Sequence, residues 1–256
     1  MWEAVGAFRD GKISAVDLQG FEDNAFPNFG GGASCYTGNT MAMLTEAMGM
    51  SLPLTSTLTA ATPFQIRAAK ETGMQIMRLI ERGITSLQIM SRGALHNAIR
   101  TSVAIGGSTN SVLHMLAIAK EAGVELELDD FETVGRSTPY ISHLGPSGPY
   151  ILQQLHDAGG IPAILKELGR LAEGSCLTVT GRTIEENLAT VKVVDRAVIR
   201  PLSDPIQPTG SIAILKGSLA PEGSVVKCSA VRDEALIFEG EAKVFESMED
   251  ALRSIY

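Results

Sequence analysis

The apolar pattern of this chain changes period near Val193, and that switch constrains the fold more than any other feature. Upstream, apolar residues recur every three or four positions, the spacing that gives a helix one buried face. Met41, Leu44 and Met48 follow it, as do Ile66, Ala69, Met74, Met77 and Ile80. Downstream, residues 197–199, 211–215, 224–228, 236–238 and 242–245 are short β-rich runs split by Pro and Gly turns. The expectation is an α/β fold, with an α/β domain over residues 1–190 and a second, β-rich domain over 191–256. A proline-bearing loop at 202–210 stands near the entrance of the second.

Local signals place elements within this frame. Ser14 is positioned to cap a helix running through Asp17, Leu18 and Phe21, and Ser91 to cap another reaching Arg100. Thr183 followed three residues later by Glu186 has capping-box spacing. Asp129 or Asp130 can cap a turn, residues 140–144 are a short strand candidate, and 51–63 reads as an irregular connection. The apolar run 103–105 reads as a strand that enters Gly106 and Gly107, with a long helix after it. The chain opens in one helical pattern and stops just after another, so both ends are expected to be cuts in a longer protein.

Composition narrows the function classes. With 45% hydrophobic residues among 256, the chain can bury a substantial core. The formal net charge of −8 and the lack of clustered Lys and Arg argue against a nucleic-acid partner, which leaves small molecules or proteins. No apolar run approaches the ~18 residues of a membrane span. Cys35, Cys176 and Cys228 are odd in number, far apart and form no CxxC pair, which points to a reducing compartment and a cytoplasmic protein.

Two glycine-rich loops carry the chemistry. In GGGASCYTGNTM, residues 30–41, Cys35, Thr37 and Asn39 stand just ahead of a helix N-terminus, whose unsatisfied N–H groups bind anions or lower a thiol pKa. In GGSTNSVLH, residues 106–114, two glycines clear space in front of the hydroxyl, amide and N–H donors of Ser108, Thr109 and Asn110. A second reading of that loop remains open, in which Ser108 or Thr109 merely caps the helix. Cys176 and Cys228 lie in apolar settings as structural residues. His96, His114, His143 and His156 have no zinc-ligand spacing, and the run Glu125, Glu127, Asp129, Asp130 reads as a solvated turn.

Around these loops the chain resembles the dihydroxy-acid dehydratase and phosphogluconate dehydratase family, which also includes sugar-acid dehydratases. The matching segments are EAVGAFRDGKIS, CYTGNTMAMLTEAMGMSLP, AIGGSTNSVLHMLAIAKEAGV, DAGGIPAILKEL, LTVTGRTIEENL, VIRPLSDPI, AILKGSLAPEGSVVK and EGEAKVFESMEDA, all in family order. The resemblance implies a central fragment, closest to dihydroxy-acid dehydratase, with a barrel-like second domain incomplete at its C-terminus and a homodimeric full-length protein. It also implies the reaction. An iron–sulfur cluster held by three cysteines draws off the C3 hydroxyl of a 2,3-dihydroxy acid, a magnesium ion (Mg) holds its carboxylate and C2 oxygen, and a serine removes the C2 proton. The product is a 2-oxo acid, as in branched-chain amino-acid biosynthesis.

The resemblance equally shows what this chain lacks. The Cys-Asp-Lys segment and the Asp-Gly-Arg-x-Ser-Gly run, which supply a cluster cysteine, magnesium ligands and the serine base, have no counterpart here. No catalytic base and no metal ligand is therefore assigned in this chain. The family run Cys-Pro-x-x-Gly-x-Cys-x-Gly-Met-Tyr-Thr-Ala-Asn aligns without gaps on residues 26–39, and its two cysteine positions hold Phe26 and Gly32. Cys35, where the family has Met, is the only nearby thiolate candidate for the cluster. Two readings follow: a dehydratase with a changed loop, inactive as this fragment alone, or a non-catalytic relative kept as a binding or assembly partner.

Overall fold

The computed structural model describes residues 2–25, 30 and 32–255. Its helices are α1 (Trp2–Arg9), α2 (Ala15–Asn24), α3 (Thr37–Ala47), α4 (Pro63–Glu81), α5 (Ser86–Ile89), α6 (Arg92–Ile105), α7 (Asn110–Ala122), α8 (Leu128–Arg136), α9 (Leu152–Asp157), α10 (Gly160–Leu168), α11 (Ile184–Asn187) and α12 (Met248–Ile255). One antiparallel pair, β1 (Ile212–Leu215) with β2 (Ser224–Lys227), sets Ile212 opposite Lys227 and Leu215 opposite Ser224. The described fold is thus α/β, dominated by helices, with a small two-stranded sheet.

Local chemistry explains several of the helix ends. The Ser14 hydroxyl accepts from the Asp17 amide while the Asp17 carboxylate accepts from the Ser14 amide, and Thr183 with Glu186 repeats the arrangement. Ser91 accepts from the Ala94 amide at the start of α6. At α8 the capping residue is Glu127. Asp130 instead sits in the first turn, where its carboxylate accepts from the Glu127 amide.

Two apolar clusters flank a central layer made of α3 and α6. From α3, Met43 and Ala47 join Leu155, Ile161 and Ile164 on one side, while Leu44 and Met48 join Met115, Phe131 and Ile212 on the other. Residues 103–105, expected as a strand, are the last turn of α6. Val103 packs into one cluster and Ile105 into the other, so the helix is buried on opposite faces and shows no amphipathic period at its end.

Beyond Val193, two of the five β-rich runs are strands. Residues 197–199 form a turn, in which the Ile199 amide donates to Asp195 and both Val198 and Ile199 enter the core. Residues 236–238 and 242–245 find no partner strand among the described residues and leave Ile237, Phe238 and Val244 exposed. β propensity there lacks the pairing edge that satisfies backbone groups. Residues 140–144 form no strand and make only isolated bridges, Tyr140 to Gln207 and Leu144 to Tyr150. No helix among the described residues is long and apolar enough to cross a membrane.

Candidate functional site

The site forms where the N-termini of α3 and α7 meet beside the C-terminus of α6. Helix α6 ends at Gly106 in the left-handed region, φ 69°, a conformation glycine adopts without steric cost. Gly107 follows because of space. A Cβ there would lie 2.5 Å from the Ser102 hydroxyl and 3.0 Å from the Ser102 carbonyl. The sharp turn lets the Gly107 amide donate back to Ser102 at 2.8 Å and carries the chain into α7.

Ser108 and Asn110 then bond to α3, with Thr109 between them. The Ser108 amide donates to the Thr40 hydroxyl at 3.1 Å, and the Ser108 and Thr37 hydroxyls lie 3.2 Å apart. The Asn110 side-chain amide donates to Thr37 at 2.8 Å, and its backbone amide donates to the Ser108 hydroxyl at 3.2 Å. Among the described residues, neither the amide nor the hydroxyl of Thr109 has a hydrogen-bond partner. This leaves an N–H and an O–H at the positive end of a helix dipole, next to an exposed Asn110.

The first glycine loop is fastened beneath this turn. The Asn39 amide donates to the carbonyls of Gly32 and of Ser34, the latter at 2.7 Å. The Cys35 amide donates to Gly145 at 2.7 Å. The Cys35 side chain is 1% exposed, 3.2 Å from the Thr40 hydroxyl, and burial pushes its thiol up despite help from Thr40 and Lys227. Phe26 and Gly31 lie outside the described residues.

Several partners of the site have no sequence signature. Thr40 is buried and bonds both loops, and the Lys227 ammonium donates to the Gly106 carbonyl at 2.6 Å. The Tyr140 hydroxyl is buried without a hydrogen-bond partner, and burial pushes it up to about 12. The Ser147 and Ser229 hydroxyls are its polar neighbours. Only their placement in space marks the roles of these groups, although Thr40 stands within the quoted segment CYTGNTMAMLTEAMGMSLP and Lys227 within AILKGSLAPEGSVVK.

A three-thiolate cluster does not fit these residues. Cys35 is a single buried thiol, Gly32 has no side chain, Cys176 sits beside Ser91 at 3.7 Å, and Cys228 follows β2. Among the described residues no group of three or more His, Cys, Asp or Glu can hold a metal ion. His96 stays 3.8 Å from Asp130, which Arg92 already pairs at 2.6 Å, so the acidic run is an ion-paired helix start.

Residues 1–187 match the family described as dihydroxy-acid/6-phosphogluconate dehydratase N-terminal, and residues 197–256 match its C-terminal counterpart. The dihydroxy-acid dehydratase of Moorella thermoacetica is 48% identical over 257 residues, covering 100% of this chain and 47% of the relative. That of Ignicoccus hospitalis is 49% identical over 241 residues, 93% of this chain and 44% of the relative. That of Caldanaerobacter subterraneus subsp. tengcongensis is 47% identical over 258 residues, 100% of this chain and 46% of the relative. The chain spans about half the length of these curated relatives. Both family halves are matched in order by a chain nearly half identical to such relatives throughout, and the chain belongs to the dihydroxy-acid/6-phosphogluconate dehydratase family.

Proposed function

We propose that the complete protein is a hydro-lyase that dehydrates a 2,3-dihydroxy carboxylic acid to a 2-oxo acid, and that Ser108, Thr109 and Asn110 line its substrate cavity. The observation that carries this reading is the unpartnered amide and hydroxyl of Thr109 at the N-terminus of α7. Donors at a helix N-terminus suit the carboxylate or hydroxyl oxygens of such an acid. Asn110 stands beside them, and Ser108 holds the turn in place through Thr37 and Thr40. The relatives' name, dihydroxy-acid dehydratase, supports the reaction class.

In this proposal the magnesium of the family and most ligands of its iron–sulfur cluster come from the portion of the protein outside this chain. When bound, they would act as Lewis acids on the leaving hydroxyl and the carboxylate. Cys35 is the one thiol of this chain that we propose for the cluster, and its burial under Thr40 means the loop must rearrange to expose it. The role of this chain's own residues is to bind and orient the acid.

We further propose a domain boundary near residue 190. The α/β part precedes it, and the β1–β2 hairpin belongs to a barrel-like domain completed by the rest of the protein. The gap between the two family matches, 188–196, supports that boundary. A cytoplasmic homodimer with a small-molecule substrate is the expected working form, with no nucleic-acid or membrane partner. Residues Gly32 and Cys35 favour a second reading, a non-catalytic relative that keeps the fold for binding, because glycine offers no ligand atom at a family cysteine position.

Anaerobic cluster reconstitution of the full-length protein, followed by absorption spectroscopy and a 2-oxo acid assay, separates the readings. A visible cluster band with turnover supports the dehydratase. A colourless, inert protein overturns it in favour of the non-catalytic relative. A branched-chain dihydroxy acid compared with a sugar acid in the same assay resolves the substrate class.

A further inference from the structure

Lys227 and Gly106 are separated by 121 positions in sequence, yet the lysine ammonium donates to the glycine carbonyl at 2.6 Å. That carbonyl lies past the last turn of α6, where helix geometry supplies no partner. The next two amides are held by other elements, Gly107 by the Ser102 carbonyl and Ser108 by the Thr40 hydroxyl. Three consecutive residues of the turn are therefore fastened from β2, α6 and α3.

Other features show that Lys227 is committed to this place. Among the described residues it forms no ion pair with a carboxylate. Burial lowers its pKa, opposed by the neighbouring Cys35. The Tyr140 hydroxyl, whose polar neighbours are Ser147 and Ser229, would lie 3.0 Å from a Cβ built on Gly106, so the turn packs closely against the phenol and has room for glycine alone. The hairpin that carries Lys227 is itself anchored on α6 and α8. Ser211 donates to Val103 at 3.0 Å, and Ile214 donates to the Glu132 carboxylate at 3.1 Å.

We propose that Lys227 is a positioning residue, whose ammonium holds the Gly106 to Ser108 turn and so makes docking of the hairpin a condition for an ordered substrate site. This rests on the reading that the turn lines the active site. A charge-assisted donor on an otherwise orphaned carbonyl is stronger than a neutral one, and small misplacement of binding groups is costly in rate. The β1–β2 hairpin thereby acts on the site without touching substrate.

The test uses the full-length protein with Lys227→Met, which keeps the stem and removes the donor, and Lys227→Arg, which keeps a donor. Hydrogen exchange of the peptide spanning 104–112 is followed by mass spectrometry, alongside kcat, KM and melting temperature. The expected result for Lys227→Met is faster exchange confined to that peptide and a roughly tenfold or larger fall in kcat/KM, with the melting temperature little changed. Lys227→Arg restores much of both. Unchanged exchange in Lys227→Met overturns the lysine contact, and a general loss of protection that arginine does not rescue overturns the positioning role. A wild type inert toward every dihydroxy acid overturns the active-site reading by itself, while the exchange data still judge the contact.

Discussion

The side-chain amide of Asn110 donates to the hydroxyl of Thr37 at 2.8 Å, joining the first turns of two helices whose residues are 73 positions apart. The same hydroxyl lies 3.2 Å from that of Ser108, so Thr37 orients both polar side chains at the mouth of the turn. Thr37→Val in the full-length protein keeps the shape and removes the hydroxyl. We expect kcat/KM to fall about tenfold while stability changes by only about 1 kcal/mol, the net worth of such a bond. Steady-state kinetics with a thermal melt check this, and a melt that drops with kinetics intact makes Thr37 purely structural.

Gly107→Ala tests the space argument. The added methyl would meet the Ser102 hydroxyl at 2.5 Å and the Thr40 methyl at 3.2 Å. Overpacking of this kind costs about 1–3 kcal/mol, and relief requires the turn to move. The expected outcome is lower stability in chemical denaturation together with lost activity. Wild-type stability in this variant refutes the close packing.

Glu46 gives a pH signature. Its buried carboxylate accepts from the amides of Leu54 at 2.7 Å and Ser56 at 2.9 Å, holding the irregular connection after α3. Burial raises its pKa above the ordinary 4.5, against the pull of those hydrogen bonds. The folded state therefore holds the proton more tightly than the unfolded one. That contribution to stability is full below the ordinary value and is lost as pH rises through the raised one. Compared with Glu46→Gln, the wild type should have its largest relative stability in acid, shrinking as pH increases. Urea denaturation across that range decides, and a difference that grows with pH contradicts the direction.

Cys35 should be the slowest of the three cysteines to alkylate in the native chain. It is 1% exposed with its thiol pushed up by burial, whereas Cys176 and Cys228 are only partly buried. Alkylation requires the thiolate and access. Timed iodoacetamide labelling read by mass spectrometry would expose a reactive Cys35 and so a loop more open than described.

Expressed alone, this 256-residue chain should form no 2-oxo acid. The family's serine base and magnesium segment have no counterpart in it, and among the described residues no group of three or more metal-ligating side chains exists. Turnover above a metal-only control would show that the chemistry resides in residues not considered catalytic.

Interactions within a few residues were legible in the sequence. Ser14, Ser91 and Thr183 cap their helices because each bond spans three positions, and the runs 211–215 and 224–228 read as strands from their β-rich composition, although their pairing across residues 216–223 was set by the fold. The three-residue runs at 197–199 and 236–238 could not be judged the same way, since a strand exists only if another edge satisfies its backbone. Residues 103–105 misled for a related reason. Burial on two faces erases the period that distinguishes helix from strand.

By itself, the sequence determined the family, the helix caps and the two glycine turns, all written in residues close together along the chain. Tertiary structure alone decided that Thr37, Thr40 and Lys227 converge on residues 106–110. It also decided that Cys35 is buried with a single hydroxyl for company rather than set among other thiols. The physical reason is that a long-range hydrogen bond has no spacing to read. Its partners are chosen by how helices and hairpin pack around the core, and any donor of suitable reach would look the same in the sequence.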